Sequence, residues 1–229
     1  MPVIAYVSPK GGVGKTTAAL LLAGEIADSG GSVRIVDADP NQPLYEWSKL
    51  DGRPEAISVV ACRSENEIID EIERGEEEAT FTLVDLEGAA TSAVTFAISR
   101  SDLVLIPCKG SHLDAAQAAR AIQLVRSTAR AVKRTIDYAI LFSQIPPALR
   151  SYNFKDIEAQ FLDNDVPVMP VTIFNREAYR TIFSTGGTLR TISAGGVGNL
   201  NTAMENAEAY AQAVIERLRA HKANKEKTA

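Results

Sequence analysis

The sequence contains little cysteine and lacks a hydrophobic run long enough to cross a membrane. Its two cysteines, Cys62 and Cys108, lie far apart and each follows an apolar segment, so we expect buried thiols in a reducing cytosol. No apolar stretch approaches the roughly 20 residues of a membrane span. The N-terminus passes directly into a strand-like segment, and we expect no signal peptide. These absences favour a cytoplasmic protein.

Charge is distributed unevenly along the chain. The formal net charge is −5, but residues 1–109 contain 9 Lys/Arg against 18 Asp/Glu, whereas residues 110–229 contain 15 against 11. This asymmetry allows a basic face for a polyanion on an acidic protein. Charge alone favours the simpler interpretation, an ordinary solvated surface.

Short runs rich in Val, Ile and Leu alternate with helical patterns along the 229 residues, of which 45% are hydrophobic. The alternation predicts a single-domain α/β protein with three layers, α/β/α, around a mainly parallel, twisted sheet of about seven or eight strands. Candidate strands span 3–7, 33–37, 57–61, 81–85, 103–107, 136–142 and 167–173, and candidate helices span 16–29, 43–50, 65–73, 112–133, 151–162, 176–184 and 200–220. We assign residues 1–220 to this domain and 221–229 to a polar C-terminal tail.

A glycine-rich loop at residues 8–17 lies between the first strand and the first helix. In such a loop backbone N–H groups surround phosphate oxygens, and the helix adds its positive end. Lys15 is spaced to reach the β- and γ-phosphates, and the Thr16 hydroxyl suits Mg²⁺. The predicted nucleotide-binding residues are Lys10, Gly11, Gly12, Val13, Gly14, Lys15, Thr16 and Thr17.

The loop has Pro9 where the general phosphate-loop pattern has glycine, and it carries a second lysine, Lys10. The run from Lys10 to Thr16 matches the deviant Walker A motif, and the chain resembles the ParA/MinD ATPases over about residues 2–220. The resemblance implies a P-loop NTPase fold, ATP and Mg²⁺ as cofactors, and slow hydrolysis that a partner stimulates. The chain resembles the short ParA class, which lacks an N-terminal helix-turn-helix.

The resemblance also gives Lys10 a role across a dimer interface. In this family the first lysine is expected to reach the nucleotide of a second subunit, where it supplies positive charge as an arginine finger does. ATP binding would then form a homodimer, and hydrolysis would dissolve it. Lys10 and Lys15 are both expected to be catalytic.

Two carboxylates, Asp37 and Asp39, end the second candidate strand. The resemblance implies that Asp39 orients or activates the hydrolytic water, and that Asp37 supports the outer shell of the metal. A cap and turn before the next helix is the alternative, because Asp, Asn and Pro suit turns.

Asp85 ends an apolar strand in the Walker B pattern, where a carboxylate holds Mg²⁺, usually through water. The following residues, 86–89, depart from the family's D-x-P-P sequence. Gly88 is a candidate for a mobile switch that senses the γ-phosphate. Ser143 replaces an Asn that contacts adenine in relatives, which weakens the inference of adenine specificity. His112 is interpreted as structural and Asp114 as a helix cap.

The function implied by the resemblance is a partition-type ATPase, nucleoid-associated when ATP-bound, that positions plasmid, chromosome or protein cargo with a ParB-like adaptor. ATP-bound relatives bind DNA non-specifically, through salt-dependent phosphate contacts. The candidate contacts are Arg190, Arg217, Arg219 and Lys222, with Arg126, Arg130, Lys133 and Arg134 on the long helix. Each of these residues alone is more often part of a solvated face.

Three alternatives remain open at the sequence level. A MinD-like membrane-positioning ATPase needs an amphipathic C-terminal helix with bulky apolar residues, but residues 217–225 contain one Leu and no aromatic residue. An iron–sulfur protein like the nitrogenase iron protein needs convergent cysteines, and Cys62 and Cys108 are not at the matching places. A conjugative-transfer-associated relative fits the short length and the segment at 85–88.

Overall fold

The computed structural model describes residues 1–88, 91–147, 152–192 and 197–228. The strands there are β1 (Val3–Tyr6), β2 (Val33–Ala38), β3 (Ile57–Ala61), β4 (Phe81–Leu86), β5 (Leu103–Cys108), β6 (Asp137–Ile145) and β7 (Ile173–Phe174). The helices are α1 (Lys15–Asp28), α2 (Pro43–Ser48), α3 (Glu65–Glu78), α4 (Ser92–Arg100), α5 (His112–Ala131), α6 (Tyr152–Asp163), α7 (Glu177–Thr185) and α8 (Leu200–Thr228).

The strands form one sheet in the order β3-β2-β4-β1-β5-β6-β7, and every pairing is parallel. The predicted three-layer α/β/α fold with a parallel sheet is therefore confirmed. In such a sheet the carboxyl ends of all strands meet at one edge, where ligands bind. The register places Asp37 of β2 directly beside Asp85 of β4 at that edge.

Alternate residues of the strands enter two hydrophobic cores, one on each face of the sheet. Ile4 and Tyr6 face the core that contains residues of α1, α2, α7 and α8. Val3 and Ala5 face the core that contains residues of α3, α4, α5 and α6. Because both faces are covered by helices, the strands are apolar throughout rather than alternating. The Tyr6 and Tyr210 hydroxyls are hydrogen-bonded at 2.9 Å and satisfy each other inside the first core.

Several predicted boundaries are wrong. The strand predicted over 167–173 is confined to β7 and one isolated bridge at Val168, since Pro167 and Pro170 cannot donate to a ladder. Helix α4 was not predicted from its sequence. Helix α3 continues to Glu78, and α8 continues to Thr228, so residues 221–228 of the predicted polar tail are helical.

Within the described ranges, no helix is both long enough and apolar enough to span a membrane. Ala89, the last residue of the segment 86–89 that departs from the family sequence, lies outside the described residues.

Candidate nucleotide and metal site

The glycine-rich loop leaves β1 at the carboxyl edge of the sheet and leads into α1. Gly12 and Gly14 have φ values of 70° and 97°, in a region that L side chains rarely adopt. Gly14 is the N-cap of α1, and its carbonyl accepts the first helical hydrogen bond, from Ala18 at 2.9 Å. The open backbone N–H groups of the first turn therefore lie at the loop, as a phosphate site requires.

Lys15 is the first residue of α1, and its side chain is only 6% exposed. Burial lowers the pKa of this lysine, and the carboxylates of Asp85, Asp39 and Glu87 partly oppose that shift. Within the described residues, no carboxylate lies within the 4 Å of an ion pair with it. A buried cation without a close counter-ion is costly, and the phosphates of a nucleotide would satisfy it.

Asp85, at the end of β4, is fully buried. Neither oxygen of its carboxylate accepts a hydrogen bond of normal geometry from the described residues. Burial raises the pKa of Asp85 to about 7, while the nearby Thr16 hydroxyl favours the charged form and the Asp37 carboxylate opposes it. Unsatisfied acceptors beside a hydroxyl fit a hydrated Mg²⁺, because that ion is held by carboxylates and keeps several waters.

Asp37 has a clear structural role at the end of β2. Its Oδ2 accepts hydrogen bonds from the backbone N–H groups of Leu44 at 2.8 Å and Tyr45 at 2.9 Å. The carboxylate therefore caps the short helix α2 and fixes the loop that carries Asp39. Burial raises the pKa of Asp37, although these backbone hydrogen bonds oppose the shift. Its predicted place in the outer shell of the metal stays a prediction.

Asp39 lies in the loop between β2 and α2. Its Oδ1 accepts hydrogen bonds from the backbone N–H of Asn41 at 2.8 Å and from the Asn41 side chain at 3.1 Å. The carboxylate is half-buried and near enough to Lys15 to influence the pKa of that lysine. The turn interpretation and the water-orienting role are thus compatible.

Lys10 extends in a different direction from Lys15. Its Nζ contacts Oδ1 of Asp114, on the first turn of α5, at 2.5 Å. The cap of α5 is Ser111, whose Oγ accepts a hydrogen bond from the Asp114 backbone N–H, so the cap predicted at Asp114 is wrong by three residues.

Gly88, two residues after β4, packs directly against the glycine-rich loop. A Cβ at this position would lie 2.8 Å from the Gly11 nitrogen and 3.0 Å from the Lys10 carbonyl carbon. Only glycine allows such an approach without moving one of the two backbones. The segment after Asp85 is therefore in contact with the loop, which is what its predicted switch role requires.

A cavity of about 210 Å³ lies beside the loop, between Gly14 and Thr17 on one side and the ends of β6 and β7 on the other. Gln144 and Asn175 bring amide groups to its wall. Ser143 also lines it, but its hydroxyl donates to the Val13 carbonyl at 2.5 Å. Ser143 thus supports the loop, and the neighbouring amides are the groups that can recognise a base.

Of the eight candidate DNA contacts, the four that follow residue 189 fall into two groups. Arg190 contacts Glu25 at 3.0 Å, and Arg217 contacts Asp137 at 2.6 Å, so both guanidinium groups join parts of the same molecule. Arg219 and Lys222 instead line a groove of about 530 Å³ at the opposite edge of the sheet from the glycine-rich loop.

Two residues near the site were missed as participants by sequence reasoning. The negative charge of Glu87 raises the pKa of Lys15, and the Asp114 carboxylate accepts a hydrogen bond from Lys10. Glu87 could have been found from its position two residues after Asp85. The pairing of Lys10 with Asp114 spans 104 residues and has no local sequence signal.

Both predicted cysteine assignments agree with the structure: Cys62 and Cys108 are free and buried. Burial raises the pKa of each thiol to about 12, which leaves little thiolate for metal binding or redox chemistry at neutral pH.

Comparison with known proteins identifies the family. The sequence model of the VirC1 protein family matches residues 1–220. Protein ParA of Rhizobium radiobacter is 37% identical over 218 residues, which cover 95% of this chain and 98% of that protein. Protein virC1 of the same organism is 27% identical over 198 residues, covering 81% and 82%. The septum site-determining protein MinD of Pyrococcus horikoshii, solved with Mg-ADP, has a TM-score of 0.70 at 14% identity, covering 93% of this chain and 95% of that one. The chain therefore belongs to the VirC1 protein family, within the ParA/MinD group of P-loop ATPases.

Proposed function

We propose that this protein is an ATPase that works as an ATP-dependent dimerisation switch and binds DNA without sequence specificity. One observation carries the catalytic part. A buried lysine without a close counter-ion, Lys15, lies at a glycine-rich helix N-terminus near Asp85, whose buried carboxylate has no hydrogen-bond partner within the described residues. A nucleotide triphosphate with Mg²⁺ satisfies both groups at once.

The residues of the site divide the work of phosphoryl transfer to water. Lys15 and the loop N–H groups hold the β- and γ-phosphates, and Thr16 and Asp85 hold the metal. A Mg²⁺ ion bound there would neutralise negative charge on the phosphates. Asp39 orients the attacking water. Asp37 keeps the loop of Asp39 in place, because its carboxylate accepts hydrogen bonds from the backbone N–H groups of Asp39 and Leu44.

The cavity beside Gly14 and Thr17 is the proposed nucleobase site. ATP is the expected nucleotide, as in the ParA/MinD group. Gln144 is the proposed recognition group, since an amide pairs with adenine through both a donor and an acceptor, whereas the Asn175 Oδ1 already accepts a hydrogen bond from Arg180 at 2.7 Å. Competition of ATP and GTP for a fluorescent ATP analogue measures this preference.

DNA binding is proposed for a basic band, defined as Arg126, Arg130, Lys133, Arg219 and Lys222. Three of these residues line a groove of about 640 Å³ at the end of α5, and the other two line the groove beside α8. Arg134 borders the first groove and contacts Asp102 of the second at 2.9 Å. The two grooves are thus adjacent at the edge where the strands begin. Arg190 and Arg217 are less suitable contacts, since their ion pairs would have to break.

DNA partition and strand processing for conjugative transfer are the two cargo roles that fit. The likeness to Protein ParA favours the first, with a ParB-like adaptor as partner. The match to the VirC1 family favours the second, which was already an alternative at the sequence level. A MinD-like role at a membrane has no comparable support, because residues 217–225 of α8 contain one Leu and no aromatic residue, whereas a membrane-binding helix needs a broad apolar face.

The function is tested by DNA binding with ATP, ADP and no nucleotide across a salt series. We expect binding with ATP only, weakening between about 50 and 200 mM salt as phosphate contacts are screened. Replacing Arg219 and Lys222 together by Ala removes two contacts from each chain and should reduce the slope of log affinity against log salt by about four for the dimer. Lys49→Ala, at an exposed lysine outside the basic band, is the control. DNA binding that ignores the nucleotide would refute the switch.

A further inference from the structure

The two lysines of the glycine-rich loop are directed to opposite sides of β1. The carboxylates of Asp85, near the end of β4, and Asp39, directly after β2, both raise the pKa of Lys15 through their charge. Lys10 contacts Asp114, which follows β5. Strand β1 lies between β4 and β5 in the sheet. Lys10 is therefore held away from the acidic side of its own site.

Asp114 is a firm anchor for this lysine. It is only 5% exposed and lies in the first turn of α5. The Ser111 hydroxyl donates to its Oδ2, and Lys10 donates to its Oδ1. Burial alone would raise the pKa of Asp114, but the hydrogen bonds from Lys10 and Ser111 outweigh it and lower the pKa. The carboxylate is thus charged at neutral pH and fixed by the helix.

The surface around the anchor is exposed in a single chain. The Lys10 side chain is 45% exposed although its end is held. Leu113, directly before Asp114, is 78% exposed, which is unusual for a large apolar residue. A cation and an apolar side chain side by side suit a partner that brings both phosphate charge and a protein surface, as a second copy of this chain with its nucleotide would.

We propose that Asp114 is a positioning residue for Lys10: it keeps the lysine extended at the surface and off its own phosphates, ready for the nucleotide of a second copy. This inference rests on the proposed dimerisation switch. A lysine has many rotamers, and holding it in place before the partner arrives reduces the entropy lost on association. Without Asp114, Lys10 is free to fold back onto its own nucleotide.

The test uses Asp114→Asn, Lys10→Gln and the double variant, with Asp163→Asn as a control at the exposed end of α6. Thermal unfolding without nucleotide comes first. Asp114→Asn should lower Tm in the unchanged chain and much less in the Lys10→Gln background, because the lost contact is shared. An equal loss in both backgrounds means that Asp114 acts independently of Lys10 and overturns the proposal.

Light scattering with a non-hydrolysable ATP analogue comes second. Asp114→Asn should require about tenfold more protein for half-dimerisation, because Lys10 is no longer held ready for the partner. Asp114→Glu keeps the charge and should recover part of the dimer. Dimerisation of Asp114→Asn at an unchanged or lower concentration overturns the proposal. If the unchanged chain itself stays monomeric with the analogue, the proposed switch fails, and the unfolding comparison still decides whether Asp114 holds Lys10.

Discussion

At the scale of single residues, the site is arranged for a ligand at the expense of stability. Asp85 is buried, neither of its carboxylate oxygens accepts a hydrogen bond of normal geometry from the described residues, and burial raises its pKa to about 7. A raised carboxylate pKa means that the charged form destabilises the folded state. The loss in the free energy of unfolding is absent below the ordinary pKa of about 4 and complete above about pH 7. Nucleotide-free protein should therefore lose stability as the pH rises through this window.

Asp85→Asn removes this cost and should separate stability from activity. In the absence of nucleotide, the variant should be more stable than the unchanged chain by about 1–3 kcal/mol at pH 8, with a smaller gain at pH 5. Its Mg²⁺-dependent hydrolysis should fall by about 10- to 100-fold, because the metal loses a carboxylate. Urea unfolding at both pH values and a phosphate-release assay measure the two effects, with Asp163→Asn as control. A variant that is less stable at pH 8 would contradict the burial argument.

At the scale of elements, the contact between Gly88 and the glycine-rich loop joins the end of β4 to the start of α1. Gly88→Ala places a Cβ about as close as 2.8 Å to the Gly11 nitrogen, so one backbone must move. Overpacking of this kind costs about 1–3 kcal/mol, and we expect a fluorescent ATP analogue to bind about 5- to 100-fold more weakly. Gly198→Ala, which meets no described atom within 4 Å, is the matched control. Equal binding by both variants would show that this contact does not govern the loop.

The sequence predicts those elements that local chemistry defines. The strand, glycine loop and helix at residues 3–28 are predicted correctly, because a short apolar run, a glycine-rich segment and a helical pattern follow one another there. Helix α4 was missed because its nine residues mix Ser, Thr and β-branched residues, and packing rather than propensity holds it. The pair of Lys10 and Asp114 could not be predicted, since it depends on β1 and β5 being neighbours. The cap role of Asp37 needed the position of α2 in space.

At the scale of the whole molecule, the proposed switch places two functions at opposite edges of one sheet. The proposed nucleotide site lies where the strands end, and the basic band lies where they begin. DNA binding can then depend on ATP only through dimerisation. A dimer offers two basic bands to the DNA, and two bands together contact more phosphates than one. A chain that cannot dimerise should bind DNA weakly whatever the nucleotide.

Asp39→Ala should trap the dimer and so test the order of these events. Losing the carboxylate that orients water should slow hydrolysis by about 10²- to 10⁴-fold, while Lys10 and Lys15 still bind phosphate. With ATP and Mg²⁺ the variant should keep a mass twice the 24.6 kDa of one chain and stay bound to DNA, whereas the unchanged chain returns to monomer as ATP is consumed. Lys15→Ala should lose nucleotide and dimer together, and Lys10→Ala should lose the dimer while retaining more nucleotide. Light scattering and analogue titration measure both. An Asp39→Ala chain that remains monomeric with ATP would mean that nucleotide binding does not form the dimer, and the switch would then have to be abandoned.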